Sequence, residues 1–296
     1  MTPTLQDQYP MLRTRMEQHS DYVAPGDYKR LLKPYAFGQK DDLVVFQEYL
    51  ATREGINSAL ELGCGTGRAT DAFLEVVPPS HLKLLDISPK MLEHVHGKYS
   101  DKQGVDFVQS DTLAHLGESN EKYDLIFSLW SFSHSVHQAM VQGDFEAARS
   151  ATKQAIRRMV IEMMKPGASF FMIHVDSKSD EQTILFKQWA KQYPLFKDAT
   201  GQTPSKELLD EVFQELMDEG IIEFSVSHHI GEAIHYENLD ELLDIFLNFH
   251  LESQFNDEEY AAQTINEIRE YAEQFKNPDG SYSIKPGSFI YRVNKH

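Results

Sequence analysis

Cysteine is almost absent from this sequence, since Cys64 is the only one among 296 residues. A single thiol cannot form a disulfide within the chain, and it cannot supply the ligands of a cysteine-rich metal site. Enzymes that work through a pair of thiols are therefore excluded. A chain without disulfides also agrees with a reducing compartment.

Long apolar runs are missing as well. A helix needs about 20 consecutive apolar residues to cross a bilayer, and no stretch of the sequence approaches that length. The first 20 residues, MTPTLQDQYPMLRTRMEQHS, contain no apolar stretch of the kind found in secretory signals. We therefore expect a cytoplasmic protein with no membrane partner. With 41% hydrophobic residues, the chain can bury a sizeable core.

Basic residues are scarce: 28 Lys and Arg face 46 Asp and Glu, which gives a net charge of -18. Nearly all of the excess lies in residues 201–280, which contain 20 acidic side chains and only Lys206, Arg269 and Lys276 as basic ones. Such a surface repels a phosphate backbone, so nucleic acid is not an expected partner. Solvated acidic helices are the simplest interpretation, and attraction of a cationic substrate is the alternative.

Short apolar strands alternate with helical stretches after Ser58. The predicted strands are at 58–65, 83–88, 105–111, 123–130 and within 165–177, and the predicted helices are at 68–77, 89–99 and 137–164. The Lys165-Pro166-Gly167 tripeptide is expected to end the last of these helices. Strict alternation of this kind predicts a parallel sheet covered by helices on both faces.

The second half of the chain departs from this rhythm. Helices are predicted at 181–193, 204–220, 238–251 and 257–275, and strands at 221–230 and 288–294, with Asn238 and Asp257 as helix caps. The acidic helices fall between the last two strands. They predict an inserted cap, at about residues 230–276, over the ligand edge of the sheet. Residues 1–57 are expected to form an N-terminal helical lid.

Three glycines at alternate positions follow the first strand, in ALELGCGTGRAT at residues 59–70. Gly63, Gly65 and Gly67 permit positive φ angles and let a ligand touch the main chain. The helix that begins near Arg68 points free N–H groups at the same place, which favours a carboxylate or another anion. In an open parallel sheet, ligands bind beyond the carboxyl ends of the strands, so this loop is the expected floor of the site.

Two of the ligands that use glycine-rich loops do not fit this one. A phosphate-binding P-loop ends in Gly-Lys-Ser/Thr, whereas Arg68-Ala69 follows Gly67 here. The dinucleotide fingerprint G-x-G-x-x-G requires a glycine at position 68. The remaining pattern is E-x-G-x-G-x-G from Glu61 to Gly67. It resembles motif I of the class I S-adenosylmethionine (SAM)-dependent methyltransferases.

This resemblance implies a Rossmann-like α/β fold with a seven-stranded, mostly parallel sheet, helices on both faces and an antiparallel last strand. Residues 58–176 then form the cofactor-binding core, and residues 177–296 supply the rest of the sheet and the cap. SAM is the implied cofactor and S-adenosylhomocysteine its product. The order of the remaining elements is loosely similar, in layout only, to small-amine N-methyltransferases of the histamine type.

The resemblance also implies roles for acidic side chains at the strand ends. Asp86 is expected to bind both ribose hydroxyls, Asp111 the adenine amino group, and Glu61 the loop amides and the amino end of the cofactor. Ser128 to Trp130 are expected to flank its methionine part. Asp86 and Asp111 are alternatively helix caps. The predicted cofactor-binding residues are Glu61, Gly63, Cys64, Gly65, Gly67, Asp86, Ile87, Asp111, Thr112, Ser128 and Trp130.

Methyl transfer to a hydroxyl or an ammonium requires removal of a proton, and a neutral imidazole can accept it near neutral pH. The predicted catalytic residues are His134 and His137, in the loop expected after the fourth strand. Tyr35, Phe37, Phe132 and His174 are predicted to contact substrate, with core packing as the alternative. His228 and His229 are expected to be structural. No metal is predicted, because Asp176 and Asp180 lack a third ligand.

A SAM-dependent methyltransferase acting on nitrogen or oxygen of a small molecule is the leading hypothesis, and an amine or another cation is one candidate acceptor. Nucleic-acid amino methylation is disfavoured, since Ser-Leu-Trp-Ser at 128–131 stands where such enzymes carry Asn/Asp-Pro-Pro-Tyr/Phe. A protein methyltransferase is a further alternative, and so is a protein that binds SAM or its product without methylating. The sequence predicts no oligomeric state.

Overall fold

A computed structural model describes residues 36–37, 40–78, 81–141, 144–176, 178–192, 202–247 and 258–296. Most of the predicted N-terminal lid, including Tyr35, and the predicted cap residue Asp257 lie outside these ranges. Within the part of the chain that is described, no helix combines the length and the apolar character required for a bilayer span.

The strands are β1 (Ala36–Phe37), β2 (Lys40–Asp41), β3 (Ser58–Leu62), β4 (His81–Asp86), β5 (Val105–Gln109), β6 (Tyr123–Leu129), β7 (Met164–Val175), β8 (Ile222–Ile230), β9 (Ile234–Tyr236), β10 (Tyr282–Ile284) and β11 (Gly287–Lys295). The helices are α1 (Asp42–Ala51), α2 (Arg68–Val76), α3 (Pro89–Tyr99), α4 (Thr112–Glu118), α5 (Phe132–Val141), α6 (Phe145–Arg158), α7 (Asp180–Gln192), α8 (Pro204–Asp218), α9 (Leu239–Ile245) and α10 (Glu258–Ala272).

Seven strands form one sheet in the order β5-β4-β3-β6-β7-β11-β8. Neighbours from β5 to β7 pair in parallel, whereas β11 pairs antiparallel with both β7 and β8. The predicted fold class, with its antiparallel last strand, is confirmed. The chain leaves β3 toward β4 on one side and returns to β6 on the other, so the switch point that creates a ligand crevice lies at the carboxyl end of β3.

Each face of the sheet carries a separate apolar core. Phe46 of α1 and Phe73 of α2 pack on one face, where both rings contact Phe127 of β6 at centroid distances of 4.9 and 5.1 Å. On the other face, the fully buried ring of Phe213 from α8 packs against Phe170 of β7. Burying one such aromatic side chain contributes roughly 1.5–3 kcal/mol, so these helices are held on the sheet chiefly by their apolar faces.

The prediction of one long helix over residues 137–164 is wrong in two respects: the region forms two helices, and Lys165-Pro166-Gly167 lies within a strand and does not end a helix. The chain forms α5 and α6 instead, because Asp144 accepts a hydrogen bond from the N–H of Ala147 at 2.8 Å and so begins a new helix. A short π-helical turn at Met159–Met163 then leads directly into β7, which already includes Lys165-Pro166-Gly167. His134 and His137 therefore lie on α5 and not in a loop.

The acidic segment between β8 and β11 forms a third apolar cluster of its own. Residues of α9 and α10 pack there with α7 and with a small antiparallel sheet of β9 and β10, which sequence reasoning missed. This segment leaves the sheet after the end of β8 and returns at the start of β11, and α7 follows the end of β7. All three connections lie at the carboxyl edge of the parallel strands. A lid function for residues 230–276 stays a prediction.

Candidate functional site

The glycine loop connects β3 with α2 and has an unusual backbone. Gly63, Gly65 and Gly67 have φ angles of 76°, 50° and 77°, in the left-handed region that favours glycine. The N–H groups of Gly63 and Cys64 both donate to the carbonyl of Leu85, at 2.9 Å each. These bonds attach the loop to the end of β4, so its conformation is fixed by the sheet.

The three glycines differ in what a side chain would meet. A Cβ atom at Gly63 would lie 1.8 Å from the Oγ of Ser131, and one at Gly67 would lie 2.7 Å from the hydroxyl of Tyr99. Among the residues that the structure describes, no heavy atom would lie within 4 Å of a Cβ atom at Gly65. Gly65 is therefore the loop glycine whose backbone faces open space, as a ligand-contacting position requires.

Asp86, the last residue of β4, lies beside this open backbone. Its Oδ2 accepts the N–H of Gly65 at 2.8 Å, and its Oδ1 accepts the N–H of Ser88 at 2.9 Å. Burial raises the pKa of this carboxyl, whereas the backbone N–H groups act in the opposite direction. The adjacent Ile87 is 44% exposed and adds an apolar surface at the same edge. Asp86 thus braces the loop. Its predicted role as the carboxylate that binds the ribose hydroxyls stays a prediction.

Glu61 lies beneath the loop and is 2% exposed. Its Oε2 accepts a hydrogen bond from the Thr70 hydroxyl at 2.5 Å. Burial is the main reason that its pKa rises to about 8, and the nearby charge of Asp86 acts in the same direction. Burial therefore favours the protonated form of this side chain. Cys64 is also buried, and burial raises the pKa of its thiol, so it lacks the thiolate character of a reactive cysteine.

The glycine loop, attached to the end of β4, forms one wall of the crevice at the carboxyl end of β3. The end of β6, on the other side of β3, forms the second wall. The Ser128 hydroxyl donates to the carbonyl of Leu62 at 2.7 Å and accepts the N–H of Phe132 at 2.9 Å. It therefore joins the end of β3 to the start of α5. Trp130 follows with a φ angle of 69°, and its indole Nε1 donates to Asp42 Oδ2 at 2.6 Å. Sequence reasoning missed Asp42 altogether.

Asp111 is exposed and caps α4, since its Oδ1 accepts the N–H of Ala114 at 3.0 Å. The next residue, Thr112, is buried. The capping role, one of the two alternatives for Asp111, is therefore present in the structure. Its predicted contact with adenine stays a prediction.

Three predicted histidines lie on the same side of the sheet. His134 is half-buried in the first turn of α5, and His137 is buried one turn later. Burial lowers the pKa of His137 to about 3 and that of His174, on β7, to about 4. Both buried rings are neutral at physiological pH and are weak bases. His134 is the less buried of the two predicted catalytic residues, and a proton-transfer role for either stays a prediction.

Two of the four predicted substrate residues, Phe132 and His174, have side chains within the described ranges. Phe132 is fully buried, and its ring packs edge-on against Phe170 at 5.7 Å, so it belongs to the core. This favours the packing alternative for Phe132. Tyr35 lies outside the described residues, and so does the side chain of Phe37.

A second polar group, which includes the His228 that was expected to be structural, lies at the ends of β7 and β8. The Oδ2 of Asp176 and the Nε2 of His228 are 2.6 Å apart, and the His228 ring stacks on Phe289 at 4.8 Å. The carboxylate is buried, whereas the imidazole is about half exposed. Over the described ranges, no three His, Cys, Asp or Glu side chains are grouped so that they could hold a metal ion.

Comparison with known proteins agrees with this geometry. Residues 59–155 match a family model described as methyltransferase domain. Malonyl-[acyl-carrier protein] O-methyltransferase 2 of Ilyobacter polytropus is 32% identical over 116 residues, which cover 36% of this chain and 44% of that protein. A second such protein of the same organism is 34% identical over 116 residues, covering 36% and 42%. The chain thus matches less than half the length of these relatives.

The solved structure of the YcgJ protein from Bacillus subtilis has the same fold, with a TM-score of 0.53 and 14% identity over 86% of this chain and 98% of that one. The sequence match and the shared fold together support a class I SAM-dependent methyltransferase domain that includes residues 59–155. SAM is the cofactor of this domain, and the predicted family resemblance and cofactor are confirmed. The roles of the individual site residues stay predictions.

Removal of the Asp86 carboxylate is expected to weaken SAM binding. The Asp86→Ala variant loses two acceptor oxygens and the bond to the Gly65 N–H, so we expect at least a roughly tenfold rise in the SAM Kd, about 1.4 kcal/mol. Titration calorimetry measures the Kd, and thermal unfolding is expected to stay cooperative. Asp106→Ala, which removes an exposed carboxylate of β5, is the matched control. An unchanged Kd in Asp86→Ala contradicts the assignment.

Proposed function

We propose that this protein transfers a methyl group from SAM to nitrogen or oxygen of a small molecule. The observation that carries the proposal is the open backbone of Gly65 beside the buried Asp86 carboxylate, at the switch point of the sheet. A loop of this form gives a ligand access to main-chain groups, and the carboxylate offers two acceptors to a pair of vicinal hydroxyls.

Methyl transfer from a sulfonium is an in-line displacement with a good leaving group. The protein therefore acts mainly by aligning the acceptor atom and by accepting its proton. The loop bonds from Gly63 and Cys64 to Leu85 fix one wall, and the Ser128 bonds fix the other. His134, half-buried at the start of α5 beside the second wall, is the proposed proton acceptor.

A small acceptor is supported by the cap. Its connections to the sheet all lie at the ligand edge, and an enclosing segment suits a small molecule better than a polymer. The acidic excess of residues 201–280 acts against a nucleic-acid substrate and is compatible with an amine. The two Ilyobacter relatives are named for a malonyl-[acyl-carrier protein] substrate, which makes an acyl carboxylate a second candidate acceptor.

The proposal is tested by supplying the purified protein with methyl-labelled SAM and three fractions of a cell extract: small molecules, proteins and nucleic acids. We expect S-adenosylhomocysteine to form and label to enter the small-molecule fraction, as read by mass spectrometry. Label confined to the protein fraction contradicts the small-molecule proposal and favours an acyl group on a carrier protein or a protein substrate. Label confined to nucleic acid contradicts both candidate acceptors. Binding of SAM with no product in any fraction favours the non-methylating alternative.

Replacement of His134 by alanine is expected to lower turnover more than it changes cofactor affinity. The reason is that a proton acceptor contributes to the chemical step, typically about 10²-fold or more, and not to SAM binding. Turnover is followed as S-adenosylhomocysteine formation, and the SAM Kd by calorimetry. His94→Ala, at an exposed position of α3, serves as the control. An unaltered rate in His134→Ala would require a different base.

A further inference from the structure

Trp130 is the only residue other than glycine with a positive φ angle in the described part of the chain. The left-handed conformation costs a residue with a side chain roughly 1–2 kcal/mol. Such strain persists only where surrounding contacts impose it, and it concentrates at functional sites. Trp130 lies directly after β6, at the wall of the cofactor crevice.

A buried carboxylate contacts the indole of this tryptophan. Asp42, the first residue of α1, is 1% exposed and accepts the indole N–H of Trp130 at 2.6 Å. The Arg68 guanidinium, at the first turn of α2, donates to the same carboxylate: its Nη1 lies 2.9 Å from Oδ1, and its Nη2 contacts Oδ2. Asp42 therefore joins α1, the helix that follows the glycine loop, and the end of β6.

The backbone turn at Trp130 determines where the next residue lies. The Trp130 N–H still donates to the carbonyl of Ile173 at 3.0 Å, as part of the β6–β7 pairing. The chain then turns, and the side chain of Ser131 packs against Gly63 so closely that no Cβ atom fits between them. The conformation of Trp130 thus determines how closely the β6 end approaches the glycine loop.

We propose that Asp42 is a positioning residue of the SAM site, which holds Trp130 in its strained conformation and so sets the separation of the two walls that receive the methionine end of the cofactor. The inference rests on the proposed function for the identity of the ligand. Asp42 acts through Trp130 and Ser131 and does not need to touch the cofactor itself.

Neighbouring residues provide matched variants. Asp42→Asn keeps the size of the side chain but removes its negative charge and one of its two acceptor oxygens. Asparagine therefore cannot accept hydrogen bonds from the indole and the guanidinium as the carboxylate does. Asp41→Asn is the control, because Asp41 caps α1 by accepting the N–H of Val44, and asparagine caps helices equally well. Trp130→Phe removes the indole N–H and retains an aromatic ring. The chain has two tryptophans, so Trp189→Phe leaves Trp130 as the sole indole reporter.

In the experiment, SAM and S-adenosylhomocysteine are titrated into these variants by calorimetry, and Trp130 emission is recorded in the Trp189→Phe protein with and without Asp42→Asn. We expect Asp42→Asn to raise both Kd values at least about tenfold and Trp130→Phe to raise them in the same direction, with Asp41→Asn within twofold. We also expect Asp42→Asn to shift the emission of Trp130 before any ligand is added.

A purely structural role predicts a different pattern. It lowers the melting temperature of Asp42→Asn and leaves both Kd values of the folded protein unchanged, and that result overturns the proposal. An unshifted Trp130 emission spectrum also overturns it. If the wild-type protein binds neither compound, the proposed function fails, while the emission spectra still report independently whether Asp42 holds the indole.

Discussion

Gly63→Ala is expected to destabilise the whole domain. The new Cβ atom would lie 1.8 Å from Oγ and 2.4 Å from Cβ of Ser131, and the backbone at this position has a φ angle of 76°. The left-handed conformation and the overpacking each carry a cost, which together amount to roughly 3 kcal/mol or more. Because Ser131 belongs to the turn held by Trp130, the chain can relieve the contact only by separating the two walls of the crevice.

Gly65→Ala, two positions away, is the matched comparison. Its φ angle of 50° also lies in the left-handed region, but its Cβ atom would meet no described residue within 4 Å. We therefore expect a loss of about 1 kcal/mol in the free energy of unfolding, from backbone strain alone. The same methyl group would protrude where a ligand is proposed to touch the main chain, so SAM affinity is expected to fall at least tenfold.

The two variants thus separate stability from binding. Denaturant unfolding measures the first quantity, and calorimetry with SAM on the folded protein measures the second. A Gly65→Ala protein that binds SAM normally contradicts the proposed position of the cofactor. Equal losses of unfolding free energy in both variants contradict the close contact between Gly63 and Ser131.

The part of the site that the sequence predicts is local. Glu61 to Gly67 form a continuous pattern, and Asp86 follows an apolar strand, so strand, loop and strand-end acid are recognisable without a structure. A seven-stranded, mostly parallel sheet with an antiparallel last strand could also be anticipated, because the pattern resembles that of a family with a known fold. These features depend on neighbours in the chain, and periodicity and glycine spacing report such neighbours directly.

The residues that were missed depend on distant partners. Asp42 and Trp130 are 88 positions apart, and nothing in the sequence near Asp42 indicates an indole partner. Asp176 and His228 meet because β11, the last strand, lies between β7 and β8 and brings their ends to one edge. Phe132 was predicted to contact substrate, with core packing as the alternative, and the ring that it packs against, Phe170, is distant in the chain.

Glu61→Gln is expected to change how the stability of the cofactor-free protein depends on pH. The pKa of Glu61 is raised to about 8, from an ordinary value of 4.5 in the unfolded chain, mainly by burial. Below pH 4.5 both states hold the proton. As the pH rises from 4.5 to 8, the unfolded state releases it and the folded state retains it, so the native protein loses stability over this window.

Glutamine removes this titration and retains a carbonyl oxygen that can accept the Thr70 hydroxyl. Between pH 6 and pH 8 the wild-type protein should therefore lose about 2 kcal/mol relative to Glu61→Gln. Urea unfolding at several pH values measures the difference, with Glu54→Gln, at an exposed position, as the control. Parallel pH profiles for wild type and Glu61→Gln would contradict the raised pKa.

Ionisation of Glu61 is also expected to be coupled to binding of the cofactor. The amino end of SAM carries a positive charge, and a cation near a buried carboxyl favours its ionised form. At pH 7 we therefore expect SAM binding to release a proton from Glu61, measured as a dependence of the binding enthalpy on the ionisation enthalpy of the buffer. Glu61→Gln is expected to lose this dependence and to bind SAM more weakly. Proton release that persists in Glu61→Gln would have to come from another group, and Glu61 would then only brace the loop.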